Sequence, residues 1–182
     1  MKKLAIILLF PSVLLGQLDI KKIVDHAIWQ TTQETWYNPA YVKIDYPWGD
    51  VDMSIGVCTD VIIRAFRADS LDLQKEIHED ILKYPSNYNL KVVDRNIDHR
   101  RCKNIRNYIK RHNGTIPVTK NAKDYLPGDL VFWDCGLEHV GIVTDQKVEG
   151  TDRYYVVHNI GRGPQIEDYL FLAPIIYHGR LK

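Results

Sequence analysis

The feature that most restricts the fold of this chain is a change of hydrophobic period at Pro127. Upstream, apolar residues recur three and four positions apart, the spacing of a helix with one buried face. Ile20, Ile23, Val24, Ala27 and Ile28 place a helix in 18–34, and Val61, Ile62, Ala65 and Phe66 place another that starts at about Cys58. Leu73, Ile77 and Ile81 place a third, capped by Ser70 or Asp72 and stopped by Pro85, because short polar side chains satisfy the first N–H groups of a helix. Ile105, Tyr108 and Ile109 place a fourth over 102–112, with Gly114 as its terminator. Between the first two, residues 35–57 are rich in Pro, Gly, Tyr and Trp and read as a long shaped loop. Downstream of the turn signal Pro127-Gly128-Asp129 come short β-rich runs, Leu130–Trp133, Val140–Val143 and Tyr154–Val157, with Ile175–Tyr177 as a further strand. The polar segment 145–152 with Gly150 suits a hairpin. Helices first and an antiparallel sheet afterwards make an α+β domain.

The first sixteen residues carry a different signal. Lys2 and Lys3 precede an apolar stretch broken by Pro11 and ending at Gly16, the pattern of a secretory signal peptide and too short for a comfortable membrane span. Residues 1–16 are therefore expected to be removed on export to the periplasm or beyond, leaving 17–182 as one domain. No cysteine follows the expected cut, so a lipoprotein anchor is not expected. The formal charge of +1, with neither sign grouped into a run, excludes the basic footprint of a nucleic-acid binder. Export permits disulfides, and three cysteines leave at least one thiol free. Cys58 is expected to stay reduced; Cys102 and Cys135 either pair or are both buried thiols.

Cys58 sits where a helix is expected to begin. Unpaired N–H groups and the positive end of the helix dipole favour a thiolate there, and the same groups can hold an oxyanion. A buried structural cysteine is the alternative. His139 opens one strand and His158 closes the next, so a hairpin brings both imidazoles to one end of the sheet, on one face. A base histidine needs a partner that fixes its ring, and His158 supplies one, or Asn159 if the register slips by one residue. A zinc site of Cys135, His139 and His158 is the competing reading, unsupported by any paired Cys-x-x-Cys or His-Glu-x-x-His element.

Three segments resemble the NlpC-type cell-wall peptidases: Leu126–Trp133 followed by Glu138–Val143, the strand Val156-Val157-His158, and Tyr46-Pro47-Trp48-Gly49 ahead of Cys58. The surroundings of the cysteine depart from that pattern, since Val57, Thr59 and Asp60 replace the usual Asp, Ser and Gly, and Asp50 replaces a second glycine. A second resemblance spans nearly the whole mature chain. Gly56–Val61, His78-Glu79-Asp80, Asn96–Arg101 and Val157–Gly161 look like domain-of-unknown-function family 1287.

The resemblances imply a papain-like fold in which the nucleophile helix packs on an antiparallel β-sheet. They imply Cys58 as nucleophile, His139 as base and His158 as orienting residue, in a cysteine peptidase or amidase that cuts an amide bond in peptidoglycan peptide without metal or organic cofactor. Tyr46, Asp60 and Asn159 are the candidates for oxyanion or substrate contact. Arg64, Arg100 and Arg101 are candidates for binding substrate carboxylates. The alternative for the 96–101 motif is an internal ion-pair network fixing a loop, and His99 is a lesser candidate to replace His158. His78 is read as structural, and Glu167 and Asp168 as surface or loop-fixing carboxylates. Three other functions compete: another acyl transfer on the same triad, a non-catalytic wall-binding module, or a toxin using the same chemistry.

Overall fold

The structure, a computed structural model, describes residues 17–181. The expected signal segment lies outside the described residues. The helices are α1 (Ile20–Gln30), α2 (Cys58–Arg67), α3 (Leu73–Lys83) and α4 (Cys102–Arg111). The two-residue strands β1 (Trp36–Tyr37) and β2 (Ile55–Gly56) pair in parallel across the loop that joins α1 to α2. The main sheet has β3 (Thr115–Ile116), β4 (Leu130–Asp134), β5 (Glu138–Lys147), β6 (Tyr154–His158), β7 (Gln165–Glu167) and β8 (Ile175–Gly179). Its order is β3-β8-β4-β5-β6-β7, and every neighbouring pair is antiparallel.

Local chemistry accounts for the helix limits. The Asp19 carboxylate accepts from the Lys22 N–H to start α1, and the helix ends at Gln30 because the Thr31 and Thr32 hydroxyls donate to the Ile28 and Trp29 carbonyls. Asp72, not Ser70, caps α3 by accepting from the Gln74 N–H. Ser70 instead takes a φ of 63° in the preceding turn. After α4 the left-handed residue is Asn113 (φ 55°) rather than Gly114. Gly114 is needed for space, since a Cβ there would lie 2.2 Å from the Arg180 carbonyl oxygen.

Two apolar layers cover the sheet. Leu130, Phe132, Val140, Ile142 and Val157 meet Ile23, Ala27, Val61, Ile62, Phe66, Leu73 and Ile77 from the helices. Val131, Trp133, Val143 and Val156 point the other way, onto Tyr125 and Leu170. A strand covered on both faces must be apolar throughout, which explains the unbroken Leu130–Trp133 run. Burying a Leu, Ile, Val or Phe side chain is worth about 1.5–3 kcal/mol, so this double layer is the main stabilising element of the sheet. The β5–β6 register sets Gly141 opposite His158 and Val143 opposite Val156. His139, two residues before Gly141, is therefore the diagonal neighbour of His158 on the same face.

Candidate functional site

Cys58 is the first residue of α2. The Asp60 carboxylate shapes this helix start by accepting from the Val57 N–H at 2.7 Å. Asp60 is itself gripped by the Arg100 guanidinium, with Nε at 2.8 Å from Oδ1 and Nη2 at 2.9 Å from Oδ2. Both side chains of this ion pair are 2% exposed. Asp60, read from sequence as an oxyanion or substrate contact, is thus occupied in building the turn that presents the cysteine.

The Cys58 sulfur lies 3.6 Å from the Cys102 sulfur, and Cys102 is the first residue of α4. Several neighbours hold the Cys58 thiol well below the usual cysteine range. The largest influence is the Cys102 hydrogen bond; the His139 side chain and the Val140 N–H act in the same direction, against the opposing effect of burial. Cys102 is pushed up, chiefly by that same hydrogen bond and then by burial, so of the two thiols Cys58 is the one that gives up its proton more readily. The expected alternatives of a Cys102–Cys135 pair or two buried thiols do not describe the fold. Cys102 is half-buried, while Cys135 is exposed with its sulfur 3.4 Å from the Tyr169 hydroxyl.

His139 is 5% exposed, and its Nε2 lies 2.8 Å from His158 Nδ1. His158 Nε2 in turn lies 2.9 Å from the Glu167 carboxylate, contributed by β7. Burial, and next the neighbouring His139, push the His158 ring down to about 4 against the pull of Glu167, so it is neutral at pH 7. One tautomer satisfies the chain: Glu167 accepts from His158 Nε2–H, His158 Nδ1 accepts from His139 Nε2–H, and His139 Nδ1 keeps its lone pair for the thiol. Trp133 and Tyr169 pack beside both rings, with ring centroids 4.3 Å apart for His158 and Tyr169.

Glu167 was read from sequence as a surface or loop-fixing carboxylate. Glu167 is indeed exposed at the surface, but it also ends the hydrogen-bond chain, while Asp168 fixes a loop by pairing with Arg153. Its signal was the alternation of Gln165-Ile166-Glu167 after the turn residues Gly161, Gly163 and Pro164, a short edge strand beside β6.

Tyr46 and Arg64 fall away from the thiol, and the remaining candidates have other partners or line the groove. Tyr46, expected beside the nucleophile, lies at the far side of the loop against Glu79 and His78. The aromatic residue at the cysteine is Tyr37 of β1, whose hydroxyl is pushed up by burial and then by the Cys58, Cys102 and Asp60 side chains beside it. Asn159 donates to the Gly56 carbonyl and so ties the end of β6 to the strand preceding Cys58, instead of orienting His139. Arg64 is buried and spends its guanidinium on Asp50 and the Val51, Asp52 and Ile55 carbonyls. Asp98 accepts from the Asp94 N–H and partners His78, and Arg100 pairs with Asp60, so this part of the 96–101 motif is an internal network, while Arg101 is exposed. His99 is buried within it and held neutral, pushed down to about 3 by burial and then by Arg67, Arg100 and His78.

Cys58 and Cys102 open onto a groove of about 470 Å³. Tyr37, Pro39, Ile97 and Leu137 give it apolar walls, and the exposed cations Arg101 and Lys103 mark its rim. Of the three arginines proposed to contact substrate, Arg100 and Arg101 line this groove and Arg64 does not. Among the described residues no group of three or more His, Cys, Asp or Glu is arranged to hold a metal ion. The three residues of the zinc reading do not converge, because Cys135 turns to Tyr169 while the two histidines bond to each other. No helix of the described residues is long and apolar enough to cross a membrane.

No solved structure matches this chain. A relative from Escherichia coli (strain K12), Uncharacterized protein YijF, is 47% identical over 165 residues, covering 87% of this chain and 80% of the relative. With a match over residues 24–181, the chain belongs to the family described as Domain of unknown function (DUF1287).

Proposed function

We propose that this protein is an exported cysteine hydrolase of the NlpC-type, papain-like class, which cleaves an amide bond in peptidoglycan peptide. One observation carries the reading. A cysteine at a helix N-terminus, its thiol pulled well below the usual range by Cys102 and then His139, faces a histidine whose ring is fixed by the His158–Glu167 chain, at the edge of an open groove. A purely structural cysteine needs no acidified thiol and no oriented imidazole beside it. The sequence resemblances to wall peptidases and the signal-like segment 1–16 supply the substrate class and the compartment.

In the proposed cycle His139 Nδ1 takes the Cys58 S–H proton, and the resulting thiolate attacks the amide carbonyl, forming a C–S bond as the C=O π bond opens to an oxyanion. The N–H groups at the start of α2 hold the resulting oxyanion. His139 gives its Nδ1 proton to the departing amine, leaving a thioester on Cys58. It then takes a proton from water, whose oxygen attacks the thioester and releases the acid. His158 stays neutral and accepts from His139 Nε2–H throughout. Glu167 holds His158 in the tautomer that can accept. Tyr37 walls the groove beside the sulfur.

Incubation with purified peptidoglycan and soluble muropeptides, alongside Cys58→Ala, tests the reading by mass spectrometry of the products. New fragments that require Cys58 are expected, and their masses identify the bond. Identical product profiles for the two proteins would refute wall-peptide cleavage. Fragments joined to an added amine instead of water would identify transpeptidation by the same thioester.

A further inference from the structure

The resting structure contains a second thiol that the hydrolytic cycle does not use. Cys102 and Cys58 each open a ten-residue helix, and their sulfurs are 3.6 Å apart at the floor of the groove. Two helix N-termini converging on one sulfur pair favour negative charge there. Cys102 also reaches solvent through the same groove. A disulfide requires the sulfurs to close from 3.6 Å to about 2.05 Å.

We infer that Cys58 and Cys102 form a redox-active dithiol, a modification site that reacts with small-molecule disulfides entering the groove. In the first step the Cys58 thiolate attacks one sulfur of the disulfide. A new S–S bond joins Cys58 to half of the reagent, the reagent's own S–S bond breaks, and the other half leaves as a thiolate that takes up a proton. In the second step Cys102 loses its proton and attacks the Cys58 sulfur. The mixed disulfide breaks, the second half of the reagent leaves as a thiol, and Cys58 and Cys102 are joined. Two protein sulfurs are oxidised and one reagent disulfide is reduced to two thiols. While the bond lasts, Cys58 has no thiolate to offer an amide carbonyl.

This inference shares the Cys58 thiolate with the proposed hydrolase but none of its acyl-transfer steps. Its test therefore needs no amide substrate, and either reading can fail alone. The reduced protein carrying Cys135→Ser, which removes the exposed third thiol, is treated with oxidised glutathione, acid-quenched, alkylated and mapped by mass spectrometry. Cys58 and Cys102 should both escape alkylation and be recovered as one cross-linked peptide pair, and dithiothreitol should restore both thiols. Adding Cys102→Ser should halt the reaction after its first step, leaving a mixed disulfide in which glutathione stays joined to Cys58. A lasting glutathione adduct on Cys58 with Cys102 still free, or no reaction at Cys58, would overturn the inference. The first arm keeps Cys58 and Cys102 native, so it decides the matter even if the Cys102 variant folds poorly.

Discussion

At the scale of single residues, Cys58 is placed between opposing influences. Burial disfavours its charge, while the Cys102 S–H, the His139 ring and the Val140 N–H favour it and prevail. Removing His139 removes both an acidifying neighbour and the proton carrier, so His139→Ala should lower kcat by about 10²–10⁴-fold, the usual worth of a general acid–base. Glu167 acts one step further out. Glu167→Ala deletes a hydrogen bond to a charged acceptor, worth about 1.5–3 kcal/mol, so kcat should fall by about tenfold or more. Glu167→Gln keeps an acceptor oxygen and should recover most of the loss, which steady-state kinetics on a muropeptide would show; a Glu167→Ala enzyme with unchanged kcat would remove Glu167 from the chain. Asp60 is a structural counterpart. Asp60→Ala strands the 2%-exposed Arg100 charge and should cost about 3–5 kcal/mol in urea unfolding.

At the scale of elements, the β5–β6 hairpin positions the site. Gly141 leaves the space that His158 and Val156 fill, and a Cβ there would lie 2.7 Å from Val156 Cγ1 and 3.1 Å from His158 Cβ. Gly141→Ala should therefore cost about 1–3 kcal/mol of stability and lower activity together, the typical penalty of overpacking. Thermal unfolding beside kinetics would check it, and a variant with wild-type Tm would contradict the packing described. This hairpin was legible in the sequence because side-chain alternation fixes which residues share a face, and His139 and His158 obeyed it. The start of α2 at Cys58 and the stripe Leu73, Ile77 and Ile81 of α3 were legible for the same kind of reason, a period dictated by burial. The segment 35–57 was not. Tyr37 and Tyr46 both lie in it, and which one meets the cysteine depends on β1 pairing with β2, a contact of two residues each that leaves no periodic trace. The approach of Cys102 to Cys58 was equally hidden, because it depends on how two helix starts converge in space.

At the scale of the whole molecule, buried neutral histidines tie stability to pH. His99 is pushed down to about 3 and His158 to about 4, both below the ordinary histidine value of 6.5. The unfolded chain therefore binds more protons than the folded one between those values. The stabilisation is in full above pH 6.5 and is lost as pH falls toward 4 for His158 and toward 3 for His99. Each ring contributes a slope of up to about 1.4 kcal/mol per pH unit within its window. Urea midpoints should thus fall from pH 7 to pH 5, and His99→Gln should flatten the fall; a wild-type midpoint that holds or rises would contradict this. The same folded framework acidifies Cys58, since α2 carries it, α4 supplies Cys102 and β5 supplies both His139 and Val140. The most direct test of that arrangement is the rate of Cys58 alkylation by iodoacetamide as a function of pH, read by peptide mapping in the wild type and in His139→Ala. The account predicts a wild-type midpoint well below that of an ordinary thiol, which moves upward when His139 is removed. A Cys58 that titrates like an ordinary thiol, with a profile indifferent to His139, would contradict it.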